Sequence, residues 1–144
     1  MTPVFETGTK RWTAAGILAA LLVLLTGCAG NLPKEEQAVL DRAQARWDAV
    51  TAGDLETAYT YYSPGYRSTT SLIDYGVSMR MQRVRWVSAE YVDHSCEESR
   101  CTVRFKIGYQ VVTPVPGLRV WNSSSMVEDT WVKTRGEWWY LPEK

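Results

Sequence analysis

The side chains in this 144-residue chain with the types and spacing to do chemistry are three cysteines, one histidine and scattered carboxylates. Cys96 and Cys101 bound the stretch His94-Ser95-Cys96-Glu97-Glu98-Ser99-Arg100-Cys101, which is polar and flanked by apolar, strand-like runs. A disulfide across the mouth of such a turn fits an oxidising compartment. On the chain-entropy account it contributes roughly 2 kcal/mol. The competing chemistry is a metal site made of His94, Cys96 and Cys101, but no fourth ligand lies nearby and the spacing is looser than in zinc pairs. No metal or other cofactor is expected. His94 is the only histidine and is expected as a surface polar residue at a hairpin end, so no Ser–His–Asp set can be drawn. Asp48 reads as a helix-surface charge and Asp54 as a helix N-cap. Asp74, Glu128 and Asp129 could face a cavity, yet their spacing names no partner, and solvated charges are the expectation. Asp74 beside Tyr75 is the nearest thing to an acid–donor pair. No glycine-rich nucleotide loop is present, and no catalytic residue is assigned.

The aromatic content is the more unusual feature. The chain has seven Trp and eight Tyr. Most are expected in the core. Trp138 and Trp139, however, are adjacent, so on a strand they point to opposite faces. One of them then lies outside the core, where an aromatic is a reasonable anchor for a partner. Trp121, Trp131 and Trp139 are the candidate contact residues for a ligand or partner. Arg80, Arg83, Arg85 and Arg104 could form a basic patch beside them, or simply a solvated face.

Lys10 and Arg11 precede an apolar run over residues 12–25, the pattern of a secretory signal. As a helix this run is about 21 Å long, short of the ~30 Å hydrocarbon core, so a spanning anchor is disfavoured. The run ends in Leu25-Thr26-Gly27-Cys28, which resembles the lipobox of bacterial lipoproteins. That resemblance implies a diacylglycerol on the Cys28 sulfur, followed by cleavage before Cys28. Two or three acyl chains anchor a protein stably, where one is marginal. Ala29, rather than Asp, after the cysteine implies sorting to the outer membrane, facing the periplasm, by resemblance to Gram-negative lipoproteins. Lipidation of Cys28 also leaves Cys96 and Cys101 as an even pair. The expected organisation is a signal peptide over residues 1–27, a lipidated tether over 28–33 and one domain over 34–144.

The whole chain has 16 basic and 16 acidic side chains. Loss of residues 1–27 leaves a net charge of about −1, and nothing suggests capture of nucleic acid. From Lys34, Val39, Leu40, Ala43, Trp47 and Val50 recur at helical spacing, with Glu35, Glu36, Asp41, Arg42 and Arg46 on other faces. Gly53 should end this helix and Asp54 start a short second one, broken at Ser63-Pro64-Gly65. Residues 69–82 have no decisive period. Their place after a helical hairpin favours a third helix, against which Gly76 counts. From Arg83 the period becomes two: Val103, Phe105, Ile107, Tyr109 and Val111 alternate with polar residues or glycine. Strands are expected over about 84–93, 102–111, 118–122, 126–134 and 137–141, with a tight turn at Arg135-Gly136. Helices followed by antiparallel strands make an α+β domain.

The order helix, Gly53-Asp54, helix, Ser63-Pro64-Gly65-Tyr66-Arg67, then strands ending in Trp138-Trp139-Tyr140, resembles the nuclear transport factor 2-like superfamily, the cystatin-like cone. The resemblance implies N-terminal helices packed on a curved antiparallel sheet around a cone-shaped cavity, and in many relatives a dimer through the sheet. The superfamily holds isomerases, dehydratases, binding modules and adaptors, so the fold does not select an activity. The expectation is a non-catalytic binding or adaptor module in the cell envelope, attached to the membrane through its lipid, with an envelope protein or a second copy as partner. The alternatives are a small cavity enzyme of isomerase or dehydratase type and a structural component of an envelope assembly.

Overall fold

A computed structural model describes residues 33–111 and 120–143. The segment expected to be a signal peptide (residues 1–27), Cys28 and the Pro114–Gly117 interruption lie outside the described residues. Residues Pro33–Lys144 form one compact unit, and every core residue named below lies within it.

Helix α1 covers Lys34–Ala52. Glu35 and Glu36 stand in its first turn, where the helix dipole favours acids. It ends at Gly53, whose φ of 77° suits a residue without a Cβ. The Gly53 and Asp54 amides close back on Val50 and Ala49. Asp54 then caps α2 (Leu55–Thr60) by accepting from the Thr57 amide at 3.0 Å. Ser63-Pro64-Gly65 does not merely break the chain. Ser63 caps a further short helix, α3 (Pro64–Thr69), with Pro64 at its first position, where the missing N–H costs nothing. Helix α4 (Leu72–Met81) is capped by Ser71, which accepts from the Asp74 amide and donates to the Asp74 carboxylate at 2.6 Å.

Helix α4 runs straight through Gly76, which is buried. A Cβ there would stand 3.1 Å from Arg80 Nη2. The glycine leaves the space that the Arg80 guanidinium occupies one turn later.

Four strands follow: β1 (Val84–Glu97), β2 (Arg100–Val111), β3 (Trp121–Thr134) and β4 (Glu137–Leu141). They form an antiparallel sheet in the order β1-β2-β3-β4. Strand β3 is continuous where the sequence suggested a break near 122–126. Asn122, Ser123, Ser124 and Ser125 pair in register with Gln110, Tyr109, Gly108 and Ile107, so β2 holds polar residues of weak strand propensity in the ladder. Arg135 and Gly136, both at positive φ, make the β3–β4 turn. Strand β1 shifts register at Val87 and again at Val92. Opposite the first shift sits Gly108, where a Cβ would overlap Ser88 Oγ. The free edge of β4 is covered by the segment after α2: Tyr140 N–H donates to the Tyr61 carbonyl (2.8 Å) and Ser63 N–H to the Tyr140 carbonyl (3.0 Å).

The helices cover one face of the sheet. Val39, Ala43, Trp47 and Val50 of α1 bury against Val103, Phe105 and Ile107 of β2, joined by Trp131, Trp138, Tyr62 and Tyr75. Each fully buried Val, Ile or Phe contributes about 1.5–3 kcal/mol of transfer free energy. Among the described residues no helix is long and apolar enough to cross a membrane.

Candidate functional site

Two features of the helix-covered face concentrate chemistry: a buried ion pair and an open cleft. The ion pair joins α1 to β3. Arg46 and Asp129 are 5% and 0% exposed. Arg46 Nη1 donates to Asp129 Oδ2 at 3.1 Å, and Trp47 Nε1 donates to the same oxygen at 2.8 Å. The guanidinium lies over the Tyr140 ring (3.7 Å to its centroid), with Trp47 and Tyr62 beyond. Burial pushes the Asp129 carboxyl above the usual carboxylate range, and Arg46 and the Trp47 N–H draw it back only in part. Burial also works to strip the proton from Arg46. Asp129, with Tyr140 and Tyr62, outweighs that and holds the guanidinium cationic. Burial raises the Tyr75 and Tyr140 phenols as well, keeping both neutral across the physiological range.

Both charges escaped the sequence reading, which put Arg46 on the solvent side of α1 and Asp129 in water. Their positions carried the signal. Arg46 falls seven residues after Val39 and four before Val50, on the apolar stripe of α1. Asp129 shares inward parity with Val127 and Trp131 on β3.

The cleft lies between the C-terminal ends of α1 and α4 and the start of β1, with a volume of about 630 Å³. Val50, Leu55, Met79, Met81, Val84 and Trp86 supply its apolar wall, and Arg80, Arg83 and Arg85 its charge. No carboxylate, imidazole or thiol is among the lining residues. Among the described residues, none of the three arginines has an acidic group within 4.0 Å. Arg46, Asp129, Tyr62, Tyr75 and Tyr140 do not line it.

The other sequence candidates separate around these two features. Trp131 is not a contact residue. It is fully buried, edge-on to Tyr61 and tilted against Tyr140, because its β3 parity turns it inward. Trp139 is half-buried, and Arg42 and Arg67 each stand 5.2 Å from its ring, so its faces are shared with cations of the same chain. Trp121 is 72% exposed. It pairs with Val111, which pairs with Val84, and so stands at the cleft end of the sheet, two strands or about 10 Å from the cleft wall.

His94 is drawn in from the surface: Nδ1 lies 2.6 Å from the Tyr91 hydroxyl and Nε2 3.3 Å from Glu36 on α1. Cys96 and Cys101 face each other across β1 and β2 and are joined as a disulfide, so no metal set forms with His94. Asp74 is exposed and spent in the Ser71 cap, whereas Tyr75 turns into the core. The two do not act on one point. Glu128 and Asp48 are exposed. Arg104 pairs with Asp93 on the sheet, away from the three cleft arginines, so the four do not make one patch.

No family model and no curated protein matches the chain. Solved structures do. A SEC-C motif containing protein from Rhodopseudomonas palustris superposes with a TM-score of 0.54 at 17% identity, covering 70% of this chain and 73% of that one. Another, from Psychrobacter arcticus, gives 0.54 at 15% identity over 73% of this chain and 59% of its own. A nuclear transport factor 2-like family protein from Streptomyces avermitilis gives 0.51 at 12% identity, over 74% and 91%. At these identities the likeness is one of fold: helices on a four-stranded antiparallel sheet.

Proposed function

We propose that the chain is a bacterial lipoprotein whose residues 34–144 form a nuclear transport factor 2-like, non-catalytic binding module. In this reading Cys28 is lipidated and residues 28–33 hold the domain at the periplasmic face of the outer membrane. The observation that carries the binding role is the cleft. It is an open recess with an apolar wall and arginines among its lining residues, as small-molecule sites are. Its lining among the described residues offers no group to act as general base at neutral pH. The signal pattern and Leu25-Thr26-Gly27-Cys28 support the address, and the Cys96–Cys101 pair suits an oxidising compartment.

One observation favours a cavity enzyme instead: Asp129 is a buried carboxylate with two donors on one oxygen. Its Oδ2 is already committed to Arg46 and Trp47, and the cleft does not reach it. A structural pair accounts for it better.

The test is export of the full chain in a bacterium fed an alkyne fatty acid. The wild type should carry the label and stay with membranes. Cys28→Ser should lose the label, and unlabelled wild type would refute the lipoprotein reading. For the second half, a domain that turns over a substrate through Asp129 would refute the binding reading.

A further inference from the structure

The geometry points to a single-chain amphipathic anion, an aliphatic chain ending in a carboxylate or phosphate, as the ligand of the cleft. This deepens the reading of that cleft as a binding site and rests on it. The volume of about 630 Å³ falls in the ~300–1,000 Å³ span of small-molecule sites. Its apolar wall is mainly aliphatic and includes Met79 and Met81, side chains that mould to a flexible chain without demanding direction. Arg80 and Arg83 line the cleft and meet no acid within 4.0 Å among the described residues, Arg85 alternates on β1 with the inward Val84 and Trp86, and guanidinium is the preferred fork for carboxylate and phosphate. The Arg80 guanidinium lies over Gly76, one turn back along α4, in the space that the missing side chain leaves open.

A monomer fits better than a bilayer surface. The wall forms an open recess, of a size to take one chain. It also lies at the C-terminal end of the 19-residue α1, about 27 Å from the end that the tether joins.

The test uses residues 33–144, which carry their own core, with laurate, dodecyl phosphate, dodecanol and inorganic phosphate as probes in isothermal titration below micelle formation. Laurate and dodecyl phosphate should bind saturably. Dodecanol should bind roughly tenfold or more weakly, the scale set by a few exposed ion pairs. Inorganic phosphate should show no saturable binding. Arg80→Gln/Arg83→Gln/Arg85→Gln should reduce laurate affinity to that of dodecanol. All three side chains are exposed, so an unchanged urea midpoint separates lost binding from lost folding. Met81→Asp, at a side chain 76% exposed, should weaken both anionic probes.

Equal affinity for laurate and dodecanol would overturn the proposal. So would binding to phosphatidylglycerol vesicles with none to monomeric laurate, which would make this a membrane-surface patch. If every amphiphile fails while another ligand is displaced by Met81→Asp, this inference falls and the binding-module reading stands.

Discussion

Replacing Arg46 by Met removes the counter-charge of a carboxylate with no exposed surface, and its cost should depend on pH. Breaking a buried pair from one side costs about 3–5 kcal/mol, because the remaining charge is left without compensation. The guanidinium also covers the Tyr140 ring, and losing that contact costs about 1 kcal/mol at any pH. At pH 7 the loss should be about 3–5 kcal/mol, a large part of the ~5–15 kcal/mol of an ordinary domain.

The sign with pH follows from Asp129. Its folded value is already raised by burial and rises further without Arg46. A carboxyl raised in the folded state contributes stability that is fully present below its unfolded value, near 3.9, and lost as pH climbs through the folded value. The penalty of Arg46→Met should therefore stay near about 1 kcal/mol from pH 4 up to the wild-type folded value of Asp129, and grow by up to ~1.4 kcal/mol per pH unit between that value and the higher one of the variant. Urea denaturation of residues 33–144, followed by tryptophan fluorescence, gives the difference as a midpoint shift of about 1.5–2 M at pH 7. Adding Asp129→Asn should flatten the slope. A penalty equal at pH 4 and pH 7 would refute the assignment of a buried charge to Asp129.

Three further outcomes follow. Gly108→Val should lower stability by about 1–3 kcal/mol in thermal denaturation, because its Cβ meets Ser88 Oγ, and Ser88→Gly should recover most of the loss. Gly76→Ala should raise the melting temperature, since Ala exceeds Gly in a helix by about 1 kcal/mol and the obstructing atom is the movable end of Arg80. The same change should weaken laurate binding, and a lower melting temperature would show that Arg80 is held fast. Cys96→Ser/Cys101→Ser should cost about 2 kcal/mol, matched by reduction of the wild type with a thiol reagent.

Period and punctuation gave away most of the fold. The α1 stripe, the Gly53-Asp54 stop and start, the alternation of β2 and the Arg135-Gly136 turn are local features, fixed by backbone conformation and by which face must be dry. What stayed hidden depends on partners distant in sequence. Arg46 and Asp129 are separated by 83 residues, and each taken alone looks like a surface charge. Weighing position above residue type would have found them, because both occupy core-facing positions of their elements and carry opposite charge. The polar start of β3 was misread for the opposite reason. Its strand character comes from pairing with β2, which no local property of Asn122-Ser123-Ser124-Ser125 announces. The cleft could not be read either, since its wall draws on α1, α2, α4 and β1.

These placements give the domain a direction. At its first turn, α1 is clamped to the hairpin end of the sheet: Glu35 pairs with Lys133, and Glu36 with His94, close to Cys96. Its last turn walls the cleft, and Gly53 completes that wall. One rigid helix thus connects the point where a tether would enter to the point where a ligand would enter, and holds them about 27 Å apart. From Cys28 to Lys34 the chain can extend no more than about 20 Å. If Cys28 is lipidated as proposed, that reach keeps the clamped end of α1 within about 20 Å of the lipid. The Arg46–Asp129 pair sits between the two ends, nearer the cleft, and bonds α1 to β3. Loss of that bond should therefore loosen the wall of the cleft as well as the core, which makes the dodecyl phosphate affinity of Arg46→Met, taken relative to wild type at each pH, a second readout. It should fall with the urea midpoint at pH 7 and return with it at pH 4, whereas unchanged affinity across that range would show that the cleft and the pair are independent.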